Sequence, residues 1–219
     1  MMKKLLYVTA NPKAKEGSSS LTVGEVFLET YRALNPSDEI TVLDLYNTYI
    51  PAIDQDVLNA WGKLQSGQGF GELSAEEQAK IIRMGEVVDQ FMAADHYIFV
   101  TPMWNFSFPS KMKDYIDNIA AAGKTFKYTV NGPVGLLQNK KVVHIQSSGG
   151  IYSQGPGADL DFSNRYLQRI ATFLGITDYQ SVFIEGAAMM PDQAEAILAK
   201  AKEDARMAAR NISGDLIVI

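Results

Sequence analysis

Three short segments hold most of the side chains that could do chemistry. The first runs from Asn11 to Ser20 and places Ser18-Ser19-Ser20 behind Gly17. Three hydroxyls at the start of a helix suit an anion, because the free N–H groups and the helix dipole favour negative charge there. Serine is also an ordinary helix cap, and that plainer reading stays open. No G-x-x-x-x-G-K-[ST] occurs, so a nucleoside triphosphate loop is excluded; no G-x-G-x-x-G follows, which disfavours a dinucleotide in this loop. A monophosphate fits better. The second segment is Pro102-Met103-Trp104-Asn105-Phe106-Ser107-Phe108-Pro109. Large flat side chains on a proline-stiffened backbone suit a planar aromatic ligand, with the Asn105 amide for its polar edge. A satellite apolar cluster or a subunit contact is the alternative. The third is Ser147-Ser148-Gly149-Gly150-Ile151-Tyr152. Its glycines allow close backbone approach, its serines can donate, and Tyr152 could cover a site; as a motif it is weak alone.

What the chain lacks narrows the chemistry further. Its 219 residues contain no cysteine, which removes disulfides, thiolate metal sites and cysteine nucleophiles. His96 and His144 are the only histidines, so a multi-histidine metal centre is not expected. Both fall in strands and read as structural. No G-x-S-x-G elbow exists for a hydrolase. The net charge of −5 disfavours a broad nucleic-acid surface. The first residues hold only a short apolar run behind two lysines, unlike a secretory signal. No stretch is long enough to span a bilayer. A cytoplasmic protein is expected.

The elements that must position these segments alternate between strand and helix. Short apolar runs predict strands at 4–9, 39–45, 97–101, 141–145 and 179–184. Helices are predicted at about 21–34, 56–64, 75–94, 110–122, 161–174 and 191–210. Ser74 and Glu77 form a capping box at the start of the third. Residues 46–73 read as an excursion. Five strands separated by helices imply parallel βαβ units and an α/β three-layer sandwich. In the flavodoxin-like strand order 2-1-3-4-5, the three segments follow neighbouring strands and converge on one crevice at their carboxyl ends. Residues 1–211 are read as a single domain. Residues 212–219 are read as a tail ending in Leu216-Ile217-Val218-Ile219, whose role is open between an edge strand, a partner contact and a loose end.

The chain resembles the FMN-dependent NADH-azoreductases, also called FMN-dependent NADH:quinone oxidoreductases. The resemblance rests on Met103-Trp104-Asn105-Phe106, Ser147-Ser148-Gly149-Gly150 and Gly123-Lys124-Thr125-Phe126-Lys127-Tyr128. It extends to Val8-Thr9-Ala10-Asn11-Pro12, Asn131-Gly132-Pro133, His144-Ile145-Gln146 and Val182-Phe183-Ile184-Glu185-Gly186. It implies a flavodoxin-like fold, a homodimer and FMN bound noncovalently at the subunit interface. It also implies ping-pong reduction of quinones and azo compounds by NADH or NADPH, with hydride passing through flavin N5. By position, Asn11, Ser18 and Ser20 would hold the FMN phosphate. Pro102, Met103, Trp104, Asn105 and Phe106 would hold the ring, and Ser147, Ser148, Gly149 and Gly150 its other side. Phe126 would line the neighbouring subunit's substrate pocket, with Tyr152 also in the pocket. Some members carry Arg where Ser148 stands and His where Tyr152 stands.

With no cysteine, metal cluster or triad in view, no side chain is expected to be catalytic, and the redox chemistry falls to the cofactor. The rival reading is a flavodoxin-type electron carrier that does not oxidise NADH. The long 46–73 excursion and the Trp104 segment argue for a covered pocket instead. A partner-binding α/β domain without flavin is the remaining alternative.

Overall fold

A computed structural model describes residues 2–214. Five parallel strands build the central sheet: β1 (Lys4–Thr9), β2 (Glu39–Asp44), β3 (His96–Pro102), β6 (Lys141–Ser147) and β7 (Asp178–Ile184). Their order is β2-β1-β3-β6-β7, which is 2-1-3-4-5 when only sheet strands are counted. Every residue of β3 is buried, as a central strand covered on both faces requires. The remaining strands, β4 (Phe126–Thr129) and β5 (Gly132–Gly135), form a small antiparallel hairpin.

Helices close both faces. On one side lie α1 (Ser19–Leu34) and α6 (Ala194–Ser213). Phe27, Tyr31 and Ala205 from them meet Tyr7, Ile98, Val143 and Val182 of the sheet. On the other side lie α3 (Ala75–Ala93), α4 (Ser110–Ile119) and α5 (Asn164–Leu174). There Phe91, Tyr115, Ile116 and Leu167 pack on Leu6, Val8, Tyr97 and Phe99. The short α2 (Gln55–Gln65) packs on α3. Ser74 and Glu77 make the expected capping box, and Lys63 of α2 reaches the Glu77 carboxylate at 2.7 Å.

Several boundaries depart from the sequence reading, each with a local cause. The helix expected to reach residue 122 stops at Ile119, where the Thr125 hydroxyl donates to the Ile119 carbonyl at 2.7 Å. α5 starts at Asn164 rather than 161, because Asp161 Oδ1 accepts from the amides of Ser163 at 3.0 Å and Asn164 at 2.8 Å. The β4–β5 hairpin was not anticipated; of its first strand only Phe126 is buried, so the apolar alternation that marks a strand is missing. α6 runs through buried Ile212 to Ser213, with Gly214 as its left-handed cap, so the first two residues of the expected 212–219 tail are helical. The apolar run 216–219 lies outside the described residues. Among the described residues no helix is long and apolar enough to cross a membrane.

Candidate functional site

Ser18 caps α1, its hydroxyl accepting from the Leu21 amide at 3.2 Å. Ser18 thus caps the helix and also faces a cleft. Asn11 Nδ2 donates to Ser18 Oγ at 2.7 Å and reaches Ser20 Oγ at 3.4 Å, and the two hydroxyls are 3.1 Å apart. Ser20 is fully buried, so it braces this corner from behind. The amides of Ser19 and Ser20 make no hydrogen bond among the described residues. Two free N–H groups, a helix N-terminus and the nearby Lys13 give this end of the cleft a positive character that suits an anion.

The cleft has a volume of about 290 Å³. Asn11, Lys13, Gly17, Ser18 and Ser19 line one part, Pro102, Met103 and Trp104 another, and Ser147, Ser148 and Gly149 a third. Three loops following β1, β3 and β6 thus converge as the strand order requires. Sequence reasoning missed the fourth wall, Ile184 at the end of β7 and Ala187 and Ala188 after it. The rule that ligands sit beyond strand ends would have found it, had the loop after the fifth strand been weighed with the others.

Asn105 and Phe106 form a tight turn over this wall. Their φ angles are +49° and +68°, and Trp104 and Ser107 exchange hydrogen bonds across them at 2.6 and 3.0 Å. Two consecutive left-handed residues make a type I′ turn. Asparagine tolerates this; phenylalanine does so at a cost of roughly 1–2 kcal/mol. The turn is tied down at both ends, since Met103 N–H donates to Ser147 O at 2.7 Å and Phe162 N–H to Phe106 O at 3.0 Å. The amides of Asn105, Phe106, Gly149 and Gly150 have no partner among the described residues. Trp104 and Phe106 keep about two-fifths of their surface exposed.

Gly150 and Tyr152 sit just outside the cleft, where Tyr152 meets Phe106 edge-on at 5.9 Å. Phe126 does not join this group. It lines a separate apolar cavity of about 500 Å³ with Trp61, Met84, Val88 and Tyr128. Both histidines lie away from the ligand surface, as expected of structural groups. His144 is fully buried, and desolvation lowers its pKa to about 4. Its Nδ1–H donates to Asn164 Oδ1 at 2.9 Å, which also accepts from Tyr179 at 2.8 Å and Ser181 at 2.9 Å. The Thr101 hydroxyl donates to Nε2 at 3.0 Å. Burial also lowers the His96 pKa. No cluster of three or more metal-ligating side chains occurs among the described residues.

A cleft with a helix N-terminus and Lys13 at one end, a flat apolar wall and free backbone donors between them could hold a planar ring bearing a phosphate tail. Its fold is that of a flavodoxin-like α/β protein. Residues 3–208 match the family model described as flavodoxin-like fold. The FMN-dependent NADH:quinone oxidoreductase of Geobacillus kaustophilus (strain HTA426) is 54% identical over 200 residues, covering 91% of this chain and 95% of its own. The FMN-dependent NADH:quinone oxidoreductase 2 of Bacillus subtilis (strain 168) is 51% identical over 206 residues, covering 92% and 98%. The crystal structure of an FMN-dependent NADH-azoreductase from Bacillus anthracis str. Ames Ancestor, in complex with FMN, superposes with a TM-score of 0.91 at 41% identity, covering 97% of this chain and all of that one. The chain belongs to the flavodoxin-like family that includes these FMN-dependent oxidoreductases.

Proposed function

We propose that this protein binds FMN in the cleft and uses NADH to reduce quinones and azo compounds. The observation that carries the reading is the convergence of the loops after β1, β3 and β6 on one cleft with a phosphate-suited end and a ring-suited wall. The named relatives support it.

The residues fit the cofactor. Ser18, the amides of Ser19 and Ser20, and Lys13 would take the phosphate, with Asn11 and Ser20 orienting the Ser18 hydroxyl. Pro102, Met103 and Trp104 would hold one side of the ring and Ser147, Ser148 and Gly149 the other. The Asn105 and Phe106 turn and Gly150 would offer their free amides to its polar edge. When bound, FMN supplies two-electron chemistry, accepting hydride from the donor and passing the electron pair to the acceptor. The balance is NADH + H⁺ + quinone giving NAD⁺ + hydroquinone. For an azo bond, two NADH and two H⁺ give two amines and two NAD⁺. The protein's part is orientation, a low-dielectric wall, and N–H donors aimed where negative charge collects. No side chain among the described residues needs to act as acid or base, and the proton comes from water.

A homodimer with shared sites belongs to the same reading. Phe126 lies in its own apolar cavity, and Trp61, Tyr128 and Val130 around that region are exposed. A second copy covering this face would bury them and bring Phe126 to the partner's site. We take residues 1–211 and the rest of α6 as one folded unit. A cytoplasmic location goes with a nicotinamide donor.

The test is a visible spectrum of protein loaded with FMN and desalted, followed by anaerobic NADH and then a quinone, with light scattering on the same sample. Retained flavin, bleaching by NADH, colour return with quinone, and a mass of twice 24.1 kDa are expected. Flavin that is retained but not bleached would make the protein an electron carrier. Loss of all flavin on desalting would overturn the assignment.

A further inference from the structure

Behind the cleft, one buried carboxylate reaches towards both walls that flank the ring position. Asp161 precedes α5, and its Oδ1 takes the amides of Ser163 and Asn164. Its Oδ2 crosses to the sheet and accepts from Gln146 Nε2 at 3.1 Å. Both residues are buried, Asp161 at 3% and Gln146 at 1% exposure. From each of them the chain runs directly to a wall. Gln146 is followed by Ser147, which lines the cleft and whose carbonyl takes the Met103 amide at 2.7 Å. Asp161 is followed by Phe162, whose amide donates to Phe106 O at 3.0 Å and also reaches Leu160 O at 3.1 Å. The turn at Phe106 continues the wall made by Pro102, Met103 and Trp104.

Starting α5 does not account for this arrangement. Asparagine serves a helix start about as well as aspartate does. All three hydrogen bonds to the Asp161 carboxylate come from uncharged N–H groups, and a buried carboxylate held that way is costly to keep. Two more buried atoms at the same place, Gln146 Oε1 and Ser163 Oγ, have no hydrogen-bond partner among the described residues. Leaving such atoms unpaired is unfavourable as well. Costs gathered immediately behind a ligand wall are expected where geometry matters more than stability.

We propose that Asp161 is a positioning residue for the flavin ring: its bond to Gln146 fixes the gap between the Trp104–Phe106 wall and the Ser147–Gly149 wall. The inference rests on the cleft being the FMN site. Asp161 does not itself line the cleft, so it acts through Gln146 and through the Phe162 amide. Without the Oδ2 bond, the start of α5 is no longer tied to the end of β6. The Phe162 amide then holds the left-handed Phe106 less firmly, and the free amides of Asn105 and Phe106 lose their fixed aim. The phosphate end is built separately, from Asn11, Ser18 and Ser20, and makes no bond to this link. The effect is therefore confined to the ring.

Gln146→Met keeps the length of the side chain, removes the donor and leaves the bonds from Asp161 to α5 in place. Asp161→Asn combined with Gln146→Glu keeps the link with its direction reversed. In the apoprotein, hydrogen exchange at the Phe162 amide is expected to quicken about tenfold in Gln146→Met, with the β3 amides unchanged. FMN and riboflavin, which lacks the phosphate, are titrated by flavin fluorescence; both are expected to bind about tenfold more weakly. The reversed pair should stay close to wild type in exchange and in both affinities. Weaker FMN binding with riboflavin unchanged would put the effect at the phosphate end and overturn the proposal. So would unchanged exchange at Phe162, equal quickening at the β3 amides, or a reversed pair that behaves like Gln146→Met. If the wild-type protein binds neither flavin, the cofactor reading fails, while exchange at Phe162 still reads the link from Asp161 to the turn.

Discussion

At Phe106 the backbone adopts a left-handed conformation that phenylalanine ordinarily avoids. Sub-optimal backbone at a ligand wall is held by surrounding structure; here the Phe162 amide and the Trp104–Ser107 pair hold it. The residue's type and its conformation are therefore at odds unless a ligand uses the side chain or the turn's free amides. Phe106→Gly removes the strain, and its side chain is only partly buried. The apoprotein is expected to keep its stability or gain up to about 1 kcal/mol in chemical denaturation. Affinity for FMN, read by recovery of flavin fluorescence, is expected to fall. A clear loss of apoprotein stability would show that Phe106 serves packing instead. The sequence marked Phe106 as a site residue by its type and place after a strand, but its strain could not be read there, because φ is set by the hydrogen bonds around the turn.

At the scale of elements, α1 places the corner that suits an anion, and its seat on the sheet depends on Gly24. A Cβ at Gly24 would lie 2.2 Å from the Tyr7 hydroxyl and 3.1 Å from a Val100 methyl. Alanine gains about 1 kcal/mol of helix propensity over glycine, but the overlap with buried Tyr7 and Val100 outweighs it. Gly24→Ala is expected to lower the denaturation free energy by about 1–3 kcal/mol and to weaken FMN binding as α1 shifts. Adding Tyr7→Phe removes the nearest atom and should restore part of the loss. A stabilised Gly24→Ala protein would refute the close approach. Strands and helices were legible because apolar runs and caps are local signals. The β4–β5 hairpin was not, since its stability comes from pairing and from Phe126 packing against Phe173 at 4.6 Å rather than from its own pattern.

For the whole molecule, the buried polar layer behind the site ties stability to pH. His144 is neutral in the folded protein, with a pKa lowered to about 4 against an ordinary value near 6.5. The unfolded chain takes up its proton first as pH falls. The stabilisation from the neutral ring is complete above about pH 6.5 and is lost progressively as pH falls towards about 4. The gap corresponds to roughly 3 kcal/mol. His96, lowered by burial, acts in the same direction. Denaturation midpoints measured from pH 7.5 to 4 should fall in the wild-type protein and fall less steeply in His144→Gln. Equal slopes would show that His144 is not the titrating group. Composition, strand–helix alternation and the loops after strands one, three and four determined the fold class and most of the cleft, because these depend on local pattern and on one general rule of parallel sheets. Only the tertiary structure decided that Ala187 and Ala188 complete the cleft and that Phe126 belongs to a different cavity. Those facts depend on which distant segments the sheet brings side by side, and no spacing along the chain encodes that distance.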